Sequence, residues 1–225
     1  MKTLLLAIAV LFATSLHAQN CKEYYLLQNN KTVEMTITNK KGKPSGKQVY
    51  TVSGVSNSGS VTTANIKTEM YDDKGKQIAT GNNDIKCSGG MMMMSMKMMM
   101  PQQQQQQSIQ AADVKAEAIY LEYPPSMKAG DELKDGNFSM DMDMSGMKQQ
   151  LTMMISNRKV EAKEKITTPA GSWDCFKITY NGKITMRTMG VGIPMNLSGT
   201  EWFAPGFGIV KTQSNYGGTE ITAIK

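Results

Sequence analysis

The chain has 225 residues, a formal charge of +6, 40% hydrophobic and 7% aromatic content, and a single histidine, His17. That histidine lies in a leader-like start, so the remainder lacks the base of Ser-His-Asp and Cys-His nucleophilic machinery and any His-containing metal site. The positive charge is carried by scattered lysines, with Arg158 and Arg187 the only arginines, which suits a solvated surface and not nucleic-acid readout, where clustered Arg with stacking aromatics is the rule.

Residues 1–18 read as a secretory signal: Lys2, the apolar run Leu4 to Phe12, then Leu16-His17-Ala18 as the exit. The run is too short to span a bilayer, and no later segment is apolar enough to be transmembrane. Cleavage after Ala18 would start a mature chain at Gln19, outside the cytoplasm. Cys21 lies close to that exit, but Gln19-Asn20 stand where a lipid-modified cysteine needs small residues. Residues 19–225 suit one all-β domain. In an oxidising compartment three cysteines give one disulfide and one leftover thiol. Three pairings are open, and Cys21 with Cys87 is favoured because Cys175 sits mid-strand in WDCFKITY, where a small buried hydrophobe is the commoner role.

From Thr32 to Cys87 the apolar residues alternate between compact turns. Val33, Met35 and Ile37 share one face of a first strand, Lys41-Gly42-Lys43-Pro44 turns it, and Gln48 to Ser56, Val61 to Tyr71 and Gln77 to Lys86 complete a predicted four-stranded meander. In the tract 91–107, eight of the ten residues from Met91 to Met100 are methionine and six glutamines follow Pro101. So uniform a run fits helix and strand alike, and the glutamines carry no structural signal. Alternation resumes at Val114 to Glu122 and stops at Tyr123-Pro124-Pro125, since proline offers the ladder no donor. Phe138 to Met144 puts Met140, Met142 and Met144 on one side with Asp141 and Asp143 on the other. Leu151 to Ile155 and Lys159 to Thr167 read as separate strands around Asn157-Arg158. Trp173 to Tyr180 and Lys183 to Met189 read as a hairpin about Asn181-Gly182. A closing hairpin, Gly199 to Thr212, turns at Ala204-Pro205-Gly206, and Glu220 to Ile224 is the last strand.

About a dozen short strands with at most one short helix predict an all-β, strongly curved antiparallel sheet or open half-barrel. The segments CKEYY at Cys21, KKGKPSG at Lys40, TEMYDDKGK ending at Lys76, IKCSGG at Ile85, LEYPPSMKAGDELKDG from Leu121, NRKVEAKEKITTPAGSWDCFKITY from Asn157 and EWFAPGFGIVK from Glu201 resemble the TapB-like proteins of bacterial envelopes. These are allied to envelope domains of unknown function. The resemblance implies an extracytoplasmic β-rich domain related to lipoprotein-carrier folds, and departs from the family at the Met/Gln tract.

Two site readings follow. A concave sheet lined by Met, Val, Ile and a few aromatics is an adaptable apolar surface for a lipid, an acyl chain or an envelope protein partner, with Trp202, Phe203 and Phe207 at or near it. Alternatively, Met91, Met94, Met96, Met98 and Met100, with Met140, Met142 and Met144 as a second set, offer thioethers to Cu(I) or Ag(I). Otherwise no cofactor is implied. A structural envelope component is the third reading. An enzyme is not expected: the pairs Asp141/Asp143 and Glu161/Glu164 read as solvated charges, and Asp72-Asp73-Lys74-Gly75 as a turn lacking a calcium ligand series.

Overall fold

The computed structural model describes residues 21–99, 114–144 and 147–225, with backbone alone for 114–118, 142–144 and 147. The signal segment 1–18, Met100 and the glutamines 102–107 lie outside the described residues.

The alternating segments become β1 (Thr32–Asn39), β2 (Pro44–Ser58), β3 (Val61–Asp72) and β4 (Gln77–Ser88), each antiparallel to the next. In β4, Ala79, Gly81, Asn83, Ile85 and Cys87 are buried and the residues between them are not, the period-two pattern of a sheet with one wet face. Asp72 fixes the β3–β4 turn by accepting from the Lys74 and Lys76 amides at 3.0 and 2.8 Å. The methionine run divides into β5 (Met91–Ser95) and a 3-10 turn at Met96–Met99. Then come β6 (Val114–Ala118), β7 (Tyr120–Tyr123), β8 (Glu132–Leu133), β9 (Gly136–Met144), β10 (Met147–Thr168), β11 (Gly171–Thr188), β12 (Val191–Ala204), β13 (Gly208–Ser214) and β14 (Gly217–Ile224). Among the described residues the remaining helical pieces are 3-10 turns at Cys21–Glu23 and Tyr25–Leu27.

Two breaks expected from the sequence are not breaks. β10 runs through Asn157-Arg158, where Asn157 adopts φ 53° and the register to β11 shifts between Ser156 and Lys159; a bulge of this kind bends a strand without ending it. β11 runs through Asn181-Gly182, which pair with Ser156 and Ile155 on one side and with Ser198 and Leu197 on the other. With ladder partners on both sides, the dipeptide stays extended despite its turn propensity. Glycine is needed at 182 for space: a Cβ there would sit 2.6 Å from Leu197 Cγ. The chain reverses instead at Pro169-Ala170 and Met189-Gly190.

The strands form one antiparallel sheet in the order β6-β9-β10-β11-β12-β13-β14-β1-β2-β3-β4-β5-β7, with β8 against β10. Its terminal strands, β6 and β7, are separated in the chain by Ile119 alone. One nearly continuous stretch thus pairs with β9 through its first half and with β5 through its second, so the sheet curls until its two ends meet in a nearly closed barrel. Closure of this kind removes the exposed edges on which open sheets aggregate. The interior is filled by one cluster that includes Ile66, Ile85, Leu121, Leu151, Phe203, Val210 and Ile221, each 1% exposed or less.

The segment before β1 is held to the barrel. Cys21 is disulfide-bonded to Cys87, 66 residues away. The Tyr25 amide donates to Gly206 O at 2.9 Å and the Tyr24 hydroxyl to Gly90 O at 3.1 Å. Leu26 and Leu27 are buried in the interior cluster.

Candidate functional site

The curl leaves an interior cavity of about 290 Å³, lined from β1, β2, β3, β10, β11, β12, β13 and β14, the methionine run and Leu26. Val33, Met35, Tyr50, Met70, Met153, Ile155, Tyr180 and Ile184 line its buried part. Ile37, Leu197, Ile209, Thr212, Ser214 and Thr219, also lining, are only half-buried and mark the side that faces solvent. Six of the lining residues are methionines: Met35, Met70, Met94, Met98, Met99 and Met153. An apolar cavity about half this size stays dry and takes up benzene, so roughly a dozen carbon atoms fit here on the same scale. Methionine's unbranched, polarizable side chain lets such a wall adapt to an irregular apolar guest.

Polar groups on the wall are few and mostly satisfied. Thr212 and Thr219 share a hydroxyl hydrogen bond at 2.9 Å, and the Ser214 hydroxyl donates to Gly217 O at 3.0 Å. On neighbouring strands the buried Asn83 amide donates to Thr68 Oγ1 at 3.0 Å. Gln48, 4% exposed, is different: its Nε2 has no partner among the described residues. Burial pushes the Tyr50 and Tyr180 hydroxyls well above the ordinary phenol range, with the Glu201 carboxylate adding to the effect at Tyr180, so both stay protonated and able to donate.

A second buried cluster, near enough to Tyr180 of the cavity wall for Glu201 and Arg158 to act on its hydroxyl, closes the seam. Arg158 of β10, its side chain fully buried, reaches Glu201 of β12 at 3.3 Å and donates through Nη1 to Glu122 O at 3.1 Å and Lys134 O at 3.0 Å. Its guanidinium lies 4.8 Å from the Tyr123 ring, which stacks on Phe203 at 4.5 Å. The Tyr123 hydroxyl donates to both Glu201 oxygens at 3.1 Å. One side chain therefore ties β7, at one end of the sheet, to strands counted from the other. Burial pushes the Glu201 carboxyl above its ordinary range, against the downward pull of Arg158. A buried charge held this way by backbone carbonyls, a ring face and a carboxylate is a structural clamp, with Arg158 Nε lacking a partner among the described residues.

The residues singled out from sequence fall in different places. Met94 and Met98 line the cavity, and Met96 is buried where a Cβ at Gly136 would meet its sulfur at 2.7 Å. Met91 pairs with Ser88 while Met92 and Met94 pair with the buried Cys87 and Ile85, which places Met91 and Met94 on opposite faces of β5. Met140 is buried on β9; Met100 and the side chains of Met142 and Met144 lie outside the described residues. Trp202 donates to Glu164 Oε1 at 2.5 Å, Phe203 stacks on Tyr123, and Phe207 stacks on Tyr25 at 5.2 Å; none of the three lines the cavity. Cys175 is a buried free thiol that burial, with Asp174 and Glu164 nearby, pushes up to about 12. Met35 and Ile37 were readable as inward by alternation with Val33. Met70, Met153, Tyr180 and Gln48 were not, because nothing local tells an inner face that lines a cavity from one that packs solidly.

A family model described as DUF3108-like matches residues 28–221. Among solved structures the chain is similar to a candidate exported protein with YmcC-like fold from Bacteroides fragilis, at 22% identity and TM-score 0.70, covering 90% of this chain and 98% of that one. It is also similar to a candidate lipoprotein from Parabacteroides distasonis, at 20% identity and TM-score 0.71, with the same 90% and 98% coverage. At these identities the likeness establishes the fold. Among curated proteins none matches. No helix among the described residues is long and apolar enough to cross a membrane.

Proposed function

The chain belongs to the DUF3108-like family, and we propose that it is a non-catalytic extracytoplasmic protein that holds an acyl chain or similar lipid in the interior of its barrel. The observation that carries this reading is the cavity of about 290 Å³ walled by methionine and aliphatic side chains. That is close to the lower end of small-molecule pockets, at about 300 Å³, and apolar enough that a hydrocarbon gains more from burial there than water does. Extracytoplasmic placement is supported by the signal-like start, by the Cys21–Cys87 disulfide, which persists in oxidising compartments, and by the exported or lipoprotein descriptions of the two similar structures. Within the family we place the chain beside the TapB-like proteins, on the strength of the segments from Asn157 and Glu201.

One observation favours a second reading. Six thioethers around a single cavity are also a donor set for Cu(I), which prefers soft sulfur ligands. Only Met94 and Met98 of the sequence-derived cluster take part in it. A single titration separates the two. On the acyl reading, the ten-carbon probe 1-aminonaphthalene, small enough for the cavity, shifts its emission to the blue on binding at one site per protein, dodecanoic acid displaces it, and replacing Met94, Met98 and Met99 together by Leu leaves it bound. A silent probe beside tight Cu(I) uptake that this triple variant loses would hand the site to the metal.

A further inference from the structure

Resting on the acyl reading above, we propose that Gln48 is the polar anchor of the cavity and that the ligand carries a carbonyl oxygen, as in an acyl ester or fatty acid, which accepts a hydrogen bond from the Gln48 amide. Gln48 sits in the middle of β2, opposite Met35 of β1 and Met70 of β3. Both of those methionines line the cavity with it. The amide is thus set among thioethers and aliphatics, 4% exposed, with Nε2 lacking any partner among the described residues.

A buried amide donor left unpaired costs stability, so such groups are nearly always satisfied. The neighbouring inward amide shows the ordinary solution, Asn83 donating to Thr68 at 3.0 Å. Packing alone would be served better at 48 by leucine or methionine, which have similar bulk and no polar atoms to satisfy. A glutamine that faces a ligand-sized apolar space is therefore matched to something that arrives with the ligand. It carries no charge and donates from nitrogen, so an oxygen acceptor on an otherwise apolar molecule completes it. A plain hydrocarbon would leave it as it is. In such sites a few placed polar groups set orientation and selectivity while the apolar wall supplies affinity.

The test is displacement of 1-aminonaphthalene from the full mature protein by two ligands of similar length, methyl octanoate and nonane, in wild type and in Gln48→Leu. The ester-to-alkane affinity ratio is expected to be about tenfold higher in wild type than in Gln48→Leu, the scale of one buried hydrogen bond gained and one orphan removed. In Gln48→Leu the ester is expected to lose affinity while the alkane does not, and the ligand-free form of the variant to melt at a higher temperature than wild type. Gln48→Met, equally apolar and more flexible, repeats the measurement if the leucine does not fold. An ester-to-alkane ratio that is the same in wild type and variant overturns the Gln48 assignment and leaves the acyl reading standing. If neither ligand displaces the probe from wild type, the acyl reading falls, and the assignment with it.

Discussion

Arg158→Ala is expected to lower the free energy of unfolding by about 3–5 kcal/mol, the usual result of removing one partner from a buried ion pair. The reason is specific to the clamp. Arg158 holds Glu201 at 3.3 Å and two backbone carbonyls, Glu122 O and Lys134 O, so its loss strands a carboxylate that is 1% exposed as well as two acceptors at the seam. Tyr123 would still donate to Glu201, but a phenol hydroxyl does not neutralise a buried charge. Urea unfolding followed by tryptophan fluorescence measures the loss. The double variant Arg158→Met/Glu201→Leu tests the cause: with both charges gone, most of the stability should return. A double variant as unstable as the single one would mean that the seam depends on Arg158's hydrogen bonds to the carbonyls and not on charge pairing.

The second large effect is expected at the disulfide. Cys21→Ser/Cys87→Ser opens a loop of 66 residues, for which the chain-entropy account gives about 4 kcal/mol of lost stability. A local consequence comes with it, because the bond holds the segment that carries Leu26 to the cavity wall. Ligand affinity should therefore fall more than in a variant destabilised equally elsewhere, such as at the seam. Cys175 cannot take over, because in this variant it is the one cysteine left in the chain. Thermal unfolding and probe binding of the double serine variant, with and without a reductant on wild type, measure both effects. Unchanged stability would show that the segment is held by the Tyr25 amide on Gly206 O, the Tyr24 hydroxyl on Gly90 O and packing alone.

The order of strands was largely legible because alternation is a local signal. Val33-Met35-Ile37, the turn at Asp72 and the hairpin about Ala204-Pro205-Gly206 could each be read within a dozen residues. The errors have a common cause. Asn181-Gly182 carries strong turn propensity, yet strands far along the chain flank it on both sides, and tertiary pairing overrides a local preference. The site was less legible for the same reason. Its six methionines come from β1, β3, the 91–99 run and β10, and only the run stands out by density. Glu201 and Arg158, buried partners 43 residues apart, carry no local sign of burial: Arg158 reads as part of a break between two strands and Glu201 as one residue of the closing hairpin. Trp202, Phe203 and Phe207, singled out for size, have ring and hydrogen-bond partners in the surrounding structure.

The central claim is that the barrel interior is a ligand site, and filling it tests that most directly. Ile37 lines the cavity from its half-buried side, on a strand where an aromatic residue is well tolerated. Native mass spectrometry of wild type and Ile37→Trp, each with dodecanoic acid, should show one ligand bound per wild-type molecule and none on the variant, with both proteins equally folded by circular dichroism. A folded Ile37→Trp protein that retains its ligand, or a wild type that takes none, would contradict the account.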